Sequence, residues 1–235
     1  MPKPSLAAGL DLSRRPSACI LSVATPTLGV FAICLIVLCQ LAHANPFKIV
    51  VAGDSRADYP ESPDSGQLSP RPEDKNGINY CAVKDISEAA TKEKPDVFVW
   101  TGDIVNVNYK TGSEPTERLK FFRKGLDTWF EAMKPVYDQH IAVLATRGNH
   151  EVVWYDQNHN THELDGAEDI WKAAFSGQHT LPPETVFDEK HLSFYYAQGP
   201  VLLIGLDQYE KNYADHQVNQ QWLEEVLSKN DNNNS

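Results

Sequence analysis

Three short apolar runs in this chain each break off at a glycine followed by a hard polar residue. Phe47–Ala52 runs into Gly53-Asp54-Ser55-Arg56, Asp96–Thr101 into Gly102-Asp103, and Ile141–Thr146 into Arg147-Gly148-Asn149-His150-Glu151. The runs are short and rich in β-branched and aromatic residues, the pattern of buried strands. Between them lie two segments with helical periodicity. In Ile78–Lys92 the apolar residues Ile78, Cys81, Ala82, Ile86, Ala89 and Ala90 recur at helical spacing, and Lys94-Pro95 closes the segment. In Thr116–Met133, Leu119, Phe122, Leu126, Trp129, Phe130 and Met133 share one face. Strand, helix, strand, helix, strand predicts an α/β fold of parallel βαβ units, in which all three polar motifs lie beyond the carboxyl ends of the strands.

The remainder of the chain is less regular. Tyr59–Asn76 carries four prolines and reads as a long loop able to line or cover a site, and Val152–Asp165 reads as a polar and aromatic loop. Trp154 and Tyr155 in the latter are candidates for a pocket wall. A short helix is expected over Glu168–Phe175, strands over Leu192–Ala197 and Val201–Leu206 joined by Gln198-Gly199-Pro200, and a last helix over Gln217–Leu227. The asparagine-rich residues 230–235 are expected to be a disordered tail.

The N-terminal residues have a different character. Ala18–Leu41 is an almost unbroken apolar run preceded by Arg14-Arg15 and followed by Ala42-His43-Ala44, the pattern of a signal peptide with a mature start near Asn45. The alternative is an uncleaved membrane anchor over residues 18–41, since the run approaches the roughly 20 residues a spanning helix needs. Either reading puts a single domain, residues 45–229, on the exported side, in the periplasm or outside the cell. Cys19, Cys34 and Cys39 fall in the N-terminal segment, so Cys81 is alone in the domain and no internal disulfide can form. A net charge of -11 without basic clusters argues against a nucleic-acid partner. It does not argue against phosphate esters, because bound metal ions can supply positive charge locally.

The polar motifs suit metal-assisted chemistry. Carboxylates at Asp54 and Asp103 can share divalent ions, and the Asn149 amide oxygen is a neutral hard ligand for a second ion. Two ions about 3.5 to 4 Å apart can hold a hydroxide for in-line attack on phosphorus. His150 then stands beside a metal ligand, able to protonate a leaving alkoxide. Arg56 and Arg147 are read either as phosphate contacts or as members of structural ion pairs.

Order, spacing and strand context together resemble the calcineurin-like metallophosphoesterase family, over about Lys48–Leu227. The resemblance extends to Leu203-Ile204-Gly205-Leu206-Asp207 followed by Gln221-Trp222-Leu223. It implies a four-layer α/β/β/α sandwich that hydrolyses phosphate mono- or diesters, with a small-molecule phosphate ester as substrate and two divalent metal ions (Mn, Fe, Zn or Mg) as cofactors. Asp54 would bind the first metal, Asp103 would bridge, Asn149 would bind the second, and His150 would be catalytic. Glu151 would support the motif without ligating, and Arg56 and Arg147 would bind substrate. Two departures stand out. The family's first motif commonly reads Asp-x-His, and Arg56 takes the histidine's place; the variant with Tyr three residues after the bridging Asp has Asn106 instead. The family's later histidine strand and Gly-His-x-His motif have no counterpart up to Ser235, which leads to the expectation of a C-terminally incomplete sandwich with weak metal sites and low activity. The competing reading is a non-catalytic exported or membrane-anchored binding protein on the same fold.

Overall fold

A computed structural model describes residues 46–57, 74–108, 114–156, 158–175, 182, 184–199, 201–210 and 214–231, all within one unit spanning Pro46–Ser235. The expected signal or anchor segment, most of the Tyr59–Asn76 loop and residues 232–235 of the tail lie outside the described residues.

The three apolar runs form the strands expected of them: β1 (Ile49–Ala52), then β4 (Val97–Trp100) and β5 (Ala142–Ala145), with two short strands, β2 (Asp74–Lys75) and β3 (Ile78–Asn79), between the first and second. They make one parallel sheet of order β1-β4-β5, with Val50 opposite Phe98 and Phe98 opposite Val143. The central strand is covered on both faces. Phe98 and Trp100 enter the main core with Val143 and Ala145, while Val97 joins Leu144 in a second core on the opposite face. Burial on both sides is why β4 reads as continuous apolar sequence instead of alternating.

The main core is closed by helices. The first described helix, α1 (Tyr80–Glu93), starts where the Asn79 side chain accepts the Ala82 N–H, and stops at Lys94 in the left-handed conformation. Its buried face is Val83, Ser87 and Ala90, with Ile86 packed alongside. Cys81 and Ala89, expected on that face, are exposed. Ser87 belongs inside because its hydroxyl donates to Lys84 O at 2.8 Å and Ala132 O at 2.9 Å, satisfying a polar group that would otherwise be costly to bury. The next helix, α2 (Pro115–Ala132), opens on Pro115, where a missing N–H costs nothing. It delivers Phe122, Leu126 and Trp129 to the core, and Trp129 meets Trp100 edge to face at 5.3 Å. A short α3 (Lys134–Asp138) leads into β5.

After β5 come a single helical turn, α4 (Asn149–Val152), and a hairpin of β6 (Val153–Tyr155) and β7 (Thr161–Glu163). The hairpin corrects the expectation of a loop over Val152–Asp165. Trp154 stacks on His162 at 4.5 Å, lies under the Arg118 guanidinium of α2 at 4.8 Å and packs against the main core, so its ring is committed to joining the hairpin to the domain. Next are α5 (Ala167–Ala174), then β8 (Val186–Phe187), β9 (Phe194–Gln198) and β10 (Val201–Gly205) in an antiparallel sheet of order β10-β9-β8, and α6 (Gln220–Asp231). Phe194 and Tyr196 face the parallel sheet in the second core, whereas Tyr195, on the other side of β9, meets Trp222 of α6 at 6.2 Å. Helices, parallel sheet, antiparallel sheet and helix follow in the α/β/β/α order. Among the described residues, no helix is long and apolar enough to cross a membrane.

This layering ranks the strands by their sensitivity to truncation. Phe98→Ala in the buried centre should cost about 3–5 kcal/mol, whereas Val51→Ala on β1, where the side is 62% exposed, should stay within about 0.5 kcal/mol. Urea unfolding curves compare the two, and equal midpoint shifts would contradict the assignment of the core.

Candidate functional site

The carboxyl ends of β1, β4 and β5 are laced together by backbone. Asp54 N–H donates to Gly102 O at 3.1 Å, Arg56 N–H to Asp103 O at 2.9 Å, and Thr146 N–H to Trp100 O at 3.1 Å. The turns are tight. Asp54 (φ +57) and Asp103 (φ +53) are both left-handed, a conformation Asp tolerates better than most residues. Gly102 (φ +98) lies so close to the third turn that a Cβ there would be 2.7 Å from Gly148 N, and a Cβ on Gly148 would be 2.1 Å from Asp103 Oδ1. Glycine in both motifs is therefore a requirement of close approach.

Glu151 holds this arrangement from below. Its carboxylate is fully buried and accepts three backbone N–H groups: Val105 at 2.8 Å on Oε1, with Asp103 at 3.0 Å and Gly148 at 2.7 Å on Oε2. Burial pushes its pKa up to about 7 and the nearby Asp103 charge adds to that, while the three N–H donors pull it down. The sequence expectation that Glu151 supports the motif matches this geometry.

Asp103 is the meeting point of the three motifs. Its Oδ1 accepts the His150 backbone N–H at 3.2 Å, and its Oδ2 pairs with Arg56 Nε at 3.1 Å, the two side chains being 13% and 31% exposed. Asp54 is exposed, and its carboxylate takes no hydrogen bond among the described residues. Asn149 and His150, half-buried, occupy the first turn of α4 directly beside Asp103. Asn106 is fully buried; its amide donates to Ala57 O at 2.9 Å and its Oδ1 accepts the Asn108 N–H at 3.0 Å, a loop-building role.

Arg147 lies elsewhere. Its Nε pairs with Asp207 Oδ2 at 2.6 Å, both side chains almost wholly buried at 3% and 1% exposed. Of the two readings open to it, phosphate contact or structural pair, the geometry gives the second, since a substrate would have to break a desolvated ion pair to reach it. Asp207 had no assigned role in the sequence. It is fixed by Ser193, whose hydroxyl accepts the Asp207 N–H at 3.1 Å and itself donates to Glu210 at 3.4 Å.

Two divalent ions do not fit the described residues as arranged. No group of three or more His, Cys, Asp or Glu among them converges as a ligand set. Both oxygens of Asp103, the residue that would bridge, already hold protein donors, and one donor is a permanent cation. At an effective dielectric of about 20, two unit charges about 4 Å apart interact by about 4 kcal/mol. A doubly charged ion placed that close to the Arg56 guanidinium meets about twice that repulsion.

Glu151→Gln should destabilise the protein by about 2–3 kcal/mol, because the amide offers one acceptor to three buried donors. Chemical denaturation reads the loss, and an unchanged midpoint would mean that the three contacts contribute nothing. A pH effect is expected at Glu210, whose carboxyl is raised from 4.5 to about 7 by burial and by the adjoining Asp188. Its folded pKa lies above the unfolded one, so its contribution favours the folded state at low pH and is lost as pH rises from about 4.5 to about 7. Melting temperatures across that window should decline more steeply for the native chain than for Glu210→Gln.

Searches of curated proteins and of solved structures find no match to this chain. Among protein-family models, that of the calcineurin-like phosphoesterases matches residues 43–234. With the layered fold and the three converging motifs, this establishes that the chain belongs to the calcineurin-like phosphoesterase family, whose members generally use dinuclear metal centres.

Proposed function

We propose that this chain is an exported hydrolase of small phosphate esters, slow in turnover, with its site around Asp103, His150 and Arg56. The observation that carries this reading is the contact of His150 N–H with Asp103 Oδ1, which locks the histidine-bearing turn onto the carboxylate of the second motif. In the hydrolysis a water oxygen bonds to phosphorus as the ester P–O bond breaks, and the departing oxygen takes a proton. His150 is the group suited to supply it, since imidazole exchanges protons near neutral pH. Arg56, part-exposed beside Asp103, supplies positive charge to the phosphoryl oxygens. Asp103 holds Arg56 in place.

The occupied state of Asp103 supports a second reading, a phosphate-binding protein without turnover. A chromogenic assay of the full chain with p-nitrophenyl phosphate and bis(p-nitrophenyl) phosphate, with added Mn²⁺, separates the two. Hydrolysis should be slow but measurable, and with an alkyl phosphate such as glycerol phosphate, whose alkoxide must be protonated as it leaves, phosphate release should fall by about 10²-fold or more in His150→Ala, the usual scale of general-acid loss. No turnover above the protein-free blank would leave the binding reading, which calorimetry with inorganic phosphate then checks; equal measurable rates in the native chain and in His150→Ala would instead remove His150 from the proton transfer.

A further inference from the structure

The family's metal centre is generally dinuclear, yet here a guanidinium stands on the carboxylate that would bridge the ions. We infer that Arg56 is the built-in cation of this site, holding the Asp103 oxygen that one of two metal ions would need, so that the site takes at most one divalent ion.

The geometry ties Arg56 to Asp103 at both ends. Its backbone N–H donates to Asp103 O at 2.9 Å, and its Nε stands 3.1 Å from Asp103 Oδ2. The flanking residues are pinned as well. Ser55 donates its hydroxyl to Ile104 O at 3.1 Å, Ala57 N–H donates to Gly77 O at 2.9 Å, and the Asn106 amide donates to Ala57 O. The guanidinium therefore starts from a fixed backbone against the Asp103 loop, unlike a surface arginine that sweeps a wide volume.

Its chemistry completes the argument. A histidine at this position could lose its proton and offer a lone pair to an ion. Arginine has no acceptor and does not deprotonate in proteins, so it can neither ligate nor step aside electrically. The pair is mostly shielded from water on the Asp103 side, which weakens screening of the repulsion felt by an ion at Oδ2. The opposite oxygen, Oδ1, faces the Asn149–His150 turn, whose His150 N–H donates to it at 3.2 Å. That side is where a single ion can be accommodated.

The purpose of the substitution rests on the phosphoester-hydrolase reading, but the ion count does not, and it is measured without turnover. The full chain is titrated with Mn²⁺, counting bound metal by equilibrium dialysis and recording electron paramagnetic resonance. The native chain should bind no more than one Mn²⁺ and give an isolated-ion spectrum. Arg56→His should gain a second ion with an exchange-coupled spectrum. Arg56→Gln, which removes the charge and adds no imidazole, should tighten the single ion by about tenfold or more, as expected from losing a nearby positive charge. A coupled two-ion spectrum from the native chain overturns the inference, as does a folded Arg56→His that binds no more metal than the native chain. Phosphoesterase activity together with two coupled ions would sink the inference and leave the functional reading standing; one ion without hydrolysis would do the reverse.

Discussion

The buried carboxylate of Glu151 is the contact on which the geometry of the site depends. Three backbone N–H groups from two different strand-end turns converge on it. No main-chain acceptor in these turns does the same, so without Glu151 those donors would be buried with nothing to bond. The opposing influences on its pKa express the same situation: desolvation raises it and the amides lower it. Because the Asp103 and Gly148 amides share one oxygen, the second and third motifs are held at one distance from each other. The left-handed backbone of Asp103 then points its carboxylate at the His150 turn.

That clamp works because the strands beneath it cannot shift. β4 is the middle of the parallel sheet, and each of its faces is buried in a different core. A slip of one residue would exchange Phe98 and Trp100 for Val97 and Val99, putting large aromatics into the space between the sheets and leaving the helix side underfilled. The register that places Val50 beside Phe98 also brings the Gly53 and Gly102 turns level. Packing thus fixes where the chain turns, and glycine with left-handed aspartate fixes how sharply.

Much of this was legible in the sequence, for identifiable reasons. The parallel strands and α2 were readable because long apolar periodicities leave few alternatives. The buried face of α1 is not readable from residue type, because Ser87 is polar and is buried by virtue of a carbonyl in its own helix and one on Ala132 that only the fold brings near. The β6–β7 hairpin leaves no sequence signal because one of its strands, Thr161–Glu163, is exposed along its whole length and carries no alternation. α3, α4 and β8 are too short to show a period at all. At the site, Glu151 was legible through its tetrapeptide. The partners of the arginines were not, since Asp103 lies 47 residues from Arg56 and Asp207 lies 60 residues from Arg147.

Those two arginines show how burial divides one residue type into two uses. Arg147 and Asp207 are almost completely removed from water, so the pair has little net value against an apolar substitute, but breaking it by removing one partner costs about 3–5 kcal/mol. It is a strut joining the turn after β5 to the one after β10. Arg56 keeps about a third of its side chain in solvent, and a pair of that kind adds little to stability. Its charge nevertheless remains at the mouth of the three motifs, where it acts on whatever anion or cation approaches. A sequence motif records both residues as arginine next to a strand-end turn; water access decides that one supports the sheet ends and the other sets the electrostatics of the cleft.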